Sequence, residues 1–253
     1  MNTDLLILVI SFAFIAMIYA SVGFGGGTSY LALMGYLAVD FQVMRPAALL
    51  CNIVVVTGGT YIFFRNHKLD LRKCLPFVLA SVPLAYLGGY YPIKEKSFFI
   101  VLGIVLIIAA LLLWFQNAFQ RQHEAKTHSN NNAVNIALGG GIGFLSGLVS
   151  IGGGIFLSPV LHLINWDEAK KISALASLFI LVNSIAGLAG QLSRSTQIDW
   201  SFIWPLLIAV LVGGQIGSRL GASKFNPVII KRVTAVLILI AGVNILNRYM
   251  ELL

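Results

Sequence analysis

The chain has 253 residues, of which 58% are hydrophobic and 10% are charged, and its mean hydropathy is +0.89. This composition excludes a soluble globular domain of ordinary make-up and is typical of a polytopic membrane protein. The formal net charge of +8 comes from basic residues between apolar runs, without the aromatic-interleaved basic patches of a nucleic-acid surface. Nucleic acid is therefore excluded as a partner, and the lipid bilayer is predicted instead.

Ten apolar runs follow one another along the chain and predict an all-α protein that crosses the membrane repeatedly. They cover about 5–22, 28–40, 45–64, 72–91 and 97–115, and then about 134–151, 155–166, 169–190, 200–218 and 228–248. A helix of about 20 apolar residues crosses the hydrocarbon core, and the second run of each half is shorter than that. We predict about eight full spans and two short or re-entrant segments.

A polar linker, residues 116–133, separates two homologous repeats, residues 1–115 and 134–253. Sliding one repeat over the other at offsets of 126 to 132 aligns two glycine triplets and several single residues in the same order. The matched pairs include Asp40 with Asp167, Cys51 with Ser177, Thr57 with Asn183, and Pro76 with Pro205. Duplication of one unit explains this ordered series.

The relative direction of the two repeats depends on what the chain does at the glycine triplets. If each triplet bends a single crossing, each repeat has four spans and the repeats are parallel. If the chain turns back there, each repeat has five spans and the repeats are inverted. The inverted arrangement divides the 17 Lys and Arg residues 12 against 5 between the two sides, and the parallel one divides them 9 against 8. The positive-inside rule favours inverted repeats, with a cytoplasmic linker and both termini outside.

Each repeat carries three consecutive glycines between two apolar segments. A glycine run breaks a helix, and the helix that restarts after it points its free N–H groups and positive dipole end at the glycines. Unwound backbone at membrane depth is tolerated where it lines a cavity, so we interpret the pair as a substrate site. Close helix packing is the alternative. The candidate substrate-binding residues here are Gly25, Gly26, Gly27 and Thr28, and Gly152, Gly153, Gly154, Ser158 and Pro159.

Polar residues on the following span of each repeat are further candidates for this site: Asn52, Thr57, Ser177 and Asn183. Amide and hydroxyl groups can donate hydrogen bonds to an oxyanion, although such residues also join helices in membranes. Arg45 is the one cation close to a glycine triplet, with interfacial anchoring as its alternative role. Gln215 lies inside an apolar run, where amide packing is equally consistent.

The remaining titratable residues do not suggest chemistry. Asp40, Asp70, Asp167 and Asp199 stand at the boundaries of apolar runs, where they are predicted to cap helices. Cys51 and Cys74 form no metal motif, and the sequence contains no nucleophile elbow or phosphate-binding loop. We therefore predict a protein that is not an enzyme and has no metal or cofactor.

The duplicated glycine unit, the segment ISALASLFILVNS and the segment LVGGQIGSRLGA resemble the sulfite exporter TauE/SafE family of membrane transporters, over essentially the whole chain. The family motif falls on both glycine triplets and on Pro159, and the first copy departs from it with Ala32 at the place of Pro159. The resemblance implies an inner-membrane carrier of sulfite, sulfoacetate or a related small anion.

We accordingly expect a multi-pass secondary transporter of the cell inner membrane that exports a small oxyanion, such as sulfite or an organosulfonate, by alternating access. The alternatives are a passive anion channel and a membrane scaffold for a partner enzyme. The sequence leaves open the coupling ion and whether the protein forms a homodimer.

Overall fold

The computed structural model describes residues 3–120, 132–164, 166–194, 198–221 and 227–250, and within these ranges all regular structure is helical. The helices are α1 (Thr3–Ser21), α2 (Gly27–Tyr36), α3 (Phe41–Arg65), α4 (Leu71–Tyr90), α5 (Glu95–Gln120), α6 (Asn132–Val149), α7 (Gly154–Leu163), α8 (Ala169–Leu192), α9 (Trp200–Gly221) and α10 (Pro227–Met250). Eight of these described helices are long and apolar enough to span a membrane, and α2 and α7 have only 10 residues each. The predicted all-α polytopic membrane fold is confirmed.

The first residues of the predicted linker are helical. Helix α5 continues through residues 116–120 to Gln120, and α6 begins at Asn132. Polar residues such as Gln and Asn are tolerated in a helix, so α5 extends beyond its apolar part. The rest of the predicted linker, residues 121–131, lies outside the described residues.

Aspartates determine where three helices begin. The Asp40 carboxylate accepts a hydrogen bond from the Gln42 N–H at 2.7 Å, and Asp70 accepts one from the Arg72 N–H at 3.1 Å. Asp199 accepts one from the N–H of the second residue of α9 at 3.1 Å. These caps satisfy N–H groups that have no acceptor within the helix and confirm the prediction for the three residues. Asp167 is different, because its carboxylate is held chiefly by the ammonium groups of two lysines.

Both glycine triplets interrupt the helices. Gly26, with a φ of 91°, directly precedes α2, and Gly153, with a φ of 81°, directly precedes α7. These left-handed conformations strain any residue with a Cβ atom, which explains the glycines. The chain turns back at the first triplet, since the rings of Phe12 in α1 and Tyr30 in α2 stack with centroids 4.4 Å apart. At the second triplet, α7 likewise packs its apolar side chains against those of α6.

Helices α1–α5 pack extensively against helices α6–α10, so the molecule has no division into an N-terminal and a C-terminal body. Helix α1 packs along α9, α4 along α6, and α5 along α10. The contacts of α6 on α4 join Gly139 with Phe77, Gly143 with Ser81 and Gly147 with Ala85. Both residue numbers rise together, so α4 and α6 are parallel. Glycines on α6 let the two backbones approach closely.

Helices α3 and α8, which follow the short helices in the two predicted repeats, pack against each other. Thr60 Oγ1 lies 2.9 Å from Ser177 Oγ, and a Cβ atom on Gly187 would lie 3.7 Å from the Leu49 side chain. One residue number falls as the other rises. Helices α3 and α8 are therefore antiparallel.

Candidate functional site

The two glycine turns meet at the side chain of Asn52, in the middle of α3. Asn52 is completely buried, and its amide lies so close to Gly25 and Gly27 that a methyl group on either glycine would overlap it. Its Nδ2 donates a hydrogen bond to the carbonyl oxygen of Ile151 at 2.9 Å. Ile151 directly precedes Gly152, so one side chain contacts both interruptions.

A small cavity separates the turns. It is lined by Tyr19, Phe24, Gly25, Gly26, Gly27, Thr28, Ile151, Ile155 and Ile180. The cavity has room for about one water molecule, which is less than an oxyanion needs. An oxyanion would fit between the turns only if they moved apart.

Hydrogen-bond donors reach this cavity mainly from the first repeat. Gly27 and Thr28 open α2, so their backbone N–H groups have no acceptor within the helix and lie at its positive end. The Tyr19 hydroxyl lies 3.3 Å from Thr28 Oγ1 and 2.7 Å from Ser29 Oγ. Sequence reasoning missed Tyr19, although its position shortly before the first glycine turn was a usable signal.

The second repeat contributes an apolar wall instead. Gly152 and Gly154 contact Ile180, in the way that Gly25 and Gly27 contact Asn52. Ile180 is therefore the structural counterpart of Asn52, and the site is chemically asymmetric. One repeat supplies an amide at this place, and the other supplies a hydrocarbon side chain.

This correspondence corrects the alignment of the repeats. The predicted pairs Cys51 with Ser177 and Thr57 with Asn183 are displaced by two residues from the match of Asn52 with Ile180. The segment between α7 and α8 is longer by one residue than the segment between α2 and α3. The alignment by residue type alone made this segment of the second repeat one residue shorter than that of the first, whereas the structure shows it to be one residue longer.

Arg45 lies two helical turns before Asn52 on the same side of α3. It is 8% exposed, and its Nε donates to Ser150 Oγ at 3.4 Å while one terminal nitrogen donates to the Leu148 carbonyl at 3.3 Å. Gln191 Nε2 donates to the same Ser150 oxygen at 2.9 Å. Arg45 therefore contacts the turn between α6 and α7 but does not line the cavity.

Two predicted residues, Thr57 and Ser177, lie away from the cavity. The Thr57 side chain is exposed, and its hydroxyl donates to the carbonyl of Ile53 at 2.6 Å. Ser177 is buried and pairs with Thr60 across the contact between α3 and α8. The hydrogen bond between Ser177 and Thr60 joins two helices, which was the alternative interpretation of these polar residues.

The remaining predicted residues, including Asn52, Gly152, Gly153 and Gly154, are also outside the lining of the cavity. Asn183 is buried on α8, and neither atom of its amide has a hydrogen-bond partner. Gln215 reaches α3 at Gly58, where its Nε2 would lie 2.8 Å from a Cβ atom. Ser158 and Pro159 are buried within α7. Among the residues that the structure describes, no cluster of His, Cys, Asp and Glu is arranged to hold a metal ion.

Comparisons with known proteins point to a transporter family. The family model described as "Sulfite exporter TauE/SafE" matches residues 8–245. The chain is 31% identical over 248 residues to the probable membrane transporter protein y4hK of Sinorhizobium fredii, covering 97% of this chain and 100% of that protein. It is 25% identical over 244 residues to the probable membrane transporter protein YunE of Bacillus subtilis, covering 87% and 89% of the two chains. No solved structure matches the chain.

Proposed function

The chain belongs to the sulfite exporter TauE/SafE family, and on that premise we propose that it is a secondary transporter exporting a small oxyanion across the inner membrane. Sulfite or an organosulfonate is the proposed substrate, and alternating access is the proposed mechanism. The observation that carries this proposal is the contact of Asn52 with both glycine turns. It joins two helix interruptions, one from each repeat, at a single buried place.

The proposed substrate binds between the turns when the cavity widens. The free N–H groups of Gly27 and Thr28 and the hydroxyl groups of Tyr19 and Thr28 would then donate to the oxyanion. Amide and hydroxyl dipoles fixed in a buried site stabilise a negative charge without a permanent counter-charge. Ile155 and Ile180 would form the opposite wall and exclude water.

We further propose that the repeats are inverted and that the linker is cytoplasmic. The antiparallel packing of α3 and α8 supports this proposal, because these helices are equivalent. Arg194 at the end of α8 donates to the Tyr90 carbonyl at the end of α4, at 3.3 Å. Lys73 near the start of α4 pairs with Asp167 just before α8, at 2.7 Å. These contacts give α4 and α8 a common direction, opposite to that of α3.

The interlocked repeats also limit how alternating access can occur. A rigid rocking of residues 1–115 against 134–253, the simplest form of the mechanism, would separate α1 from α9 and α4 from α6. Those pairs have close backbone contacts at glycines. We propose that the opening movement is instead centred on the short helices α2 and α7 and on the glycine turns that precede them.

Transport by the purified full-length chain in proteoliposomes tests the proposed function. Sulfite efflux should be faster when sulfite is present on the opposite side, because a carrier returns more rapidly when loaded. Asn52→Leu removes the hydrogen bond that joins the two glycine turns and should reduce efflux at least about tenfold, which corresponds to roughly 1.4 kcal/mol in the rate-limiting state. Thr57→Val should retain wild-type efflux. Efflux without acceleration by opposite-side sulfite would favour the channel, and no movement of sulfite or sulfoacetate would refute the proposal.

A further inference from the structure

The guanidinium of Arg45 is buried, and among the residues that the structure describes it has no carboxylate partner. Its side chain lies between two aromatic rings, 5.3 Å from the Phe41 centroid and 5.5 Å from the Phe98 centroid. A buried charge with no compensating partner costs several kcal/mol by order of magnitude.

The hydrogen bonds of Arg45 leave most of its donors available. A guanidinium has five N–H groups, and two of its nitrogens contact the neutral oxygens of Ser150 and Leu148 at 3.4 and 3.3 Å. These distances are longer than those of charge-assisted bonds. The environment therefore holds the guanidinium in place without neutralising it.

The contacts on the second repeat are built around a strained residue. Ser150 has a φ of 60°, a conformation that is uncommon for a residue with a side chain. Its hydroxyl is shared by Arg45 from the first repeat and Gln191 from the second. The turn thus holds the guanidinium of Arg45 and the amide of Gln191 beside each other, near the start of α3 and the end of α8.

We propose that Arg45, with Ser150 and Gln191, forms a second binding site for the transported oxyanion, separate from the cavity at the glycine turns. The fork would bind two oxygens of a sulfonate or sulfite group, the geometry for which arginine is suited. An anion there supplies the missing negative charge. The class of anion rests on the proposed function, whereas the existence of the site rests on the uncompensated charge.

The position of this site makes the proposed pathway asymmetric. Arg45 precedes Asn52 by two turns, which is about 10 Å along α3, so an anion could pass between the two sites along one side of the helix. The counterpart of Arg45 in the second repeat is Ser173, an uncharged residue that lies beside Gly23 as Arg45 lies beside Ser150. The second site is therefore present on one side of the membrane only.

Anion-dependent thermal stabilisation of the full-length protein tests the second site, since a ligand raises the melting temperature according to its affinity. The test titrates sulfite, with chloride as the comparison anion, into Asn52→Leu, which lacks the hydrogen bond that joins the two turns of the central site. Asn52→Leu should keep a saturable stabilisation by sulfite. Adding Arg45→Gln should raise the half-saturating concentration at least about tenfold, and adding Arg65→Gln, at the other end of α3, should leave it unchanged.

Three results would overturn the second site: no sulfite stabilisation left in Asn52→Leu, an unchanged half-saturating concentration after adding Arg45→Gln, or equal stabilisation by chloride. If Arg45→Gln does not fold, Arg45→Lys replaces it, with weaker sulfite binding expected because the planar fork is lost; unchanged binding would again overturn the site. Failure of the proposed function is distinguishable, because wild-type protein would then transport no sulfite in proteoliposomes.

Discussion

Asn52 and Ile151 are 99 residues apart in the chain, and the amide nitrogen of the first lies 2.9 Å from the carbonyl oxygen of the second. This hydrogen bond ties α3 of the first repeat to the glycine turn of the second. It also satisfies a carbonyl that lies outside any helix. Buried backbone groups of this kind need a partner, and here a side chain supplies it.

Replacing Asn52 by leucine should destabilise the protein. The substitution keeps the side-chain size but leaves the Ile151 carbonyl without its donor, at a cost of roughly 1–3 kcal/mol. We expect a lower melting temperature in detergent, measured without added anion. Thr57→Val on the same helix is the control, because the Thr57 hydroxyl bonds only to its own helix, and a melting temperature equal in both variants would contradict the role of Asn52.

Alanine at two glycines should have opposite effects on stability. Gly153→Ala places a Cβ atom on a residue with a φ of 81°, 2.9 Å from the Phe179 ring, and should cost about 1–3 kcal/mol. Gly141→Ala, within α6, meets no atom within 4 Å and should stabilise the helix by about 0.5–1 kcal/mol. We expect the melting temperature of Gly153→Ala to lie below the wild-type value and that of Gly141→Ala to lie above it. Equal shifts would refute the strain at Gly153.

Cysteine labelling should distinguish inverted from parallel repeats. Lys94→Cys lies between α4 and α5, and Lys170→Cys lies in the first turn of α8. Inverted repeats place these two positions on opposite sides of the membrane, whereas parallel repeats place them on the same side. A membrane-impermeant maleimide added to intact cells should label the first variant and should label the second only after permeabilisation. The native Cys51 and Cys74 are buried, so wild-type protein is the control. The reverse labelling pattern would place the linker outside.

The ion pairs of Asp167 should make stability fall at low pH. Burial raises the pKa of this carboxyl, but hydrogen bonds from Lys73 Nζ, the Glu168 N–H and Lys171 Nζ outweigh it and hold the pKa below its usual value. The stabilisation is present above the unfolded-state pKa of about 4 and is lost as the pH falls through the lower folded-state pKa.

Asp167→Asn isolates this effect. The variant should lose on the order of 1 kcal/mol at pH 7, because the lysine partners are partly exposed and solvent weakens the pairs. The difference in melting temperature between wild type and variant should narrow as the pH is lowered below about 4. A difference that does not change with pH would show that the ion pairs contribute nothing measurable.

Several features of this protein follow from the sequence because they depend on neighbouring residues alone. Long apolar runs require membrane-spanning helices, and Asp40 and Asp70 cap helices through bonds to residues two positions later. The glycine triplets end one helix and begin another because Gly26 and Gly153 adopt left-handed conformations. Each of these is a local property of the backbone.

The composition of the cavity could be decided only by the tertiary structure. Successive residues on a helix differ by 100° in direction, so the displacement of two residues in the alignment of α3 with α8 turns a side chain to the other side. Thr57 was predicted for the site and is exposed, whereas Ile180 was not predicted and lines the cavity. Which side chain faces the glycine turns depends on how each helix is rotated against partners from the distant repeat, and no short segment of the chain contains that information.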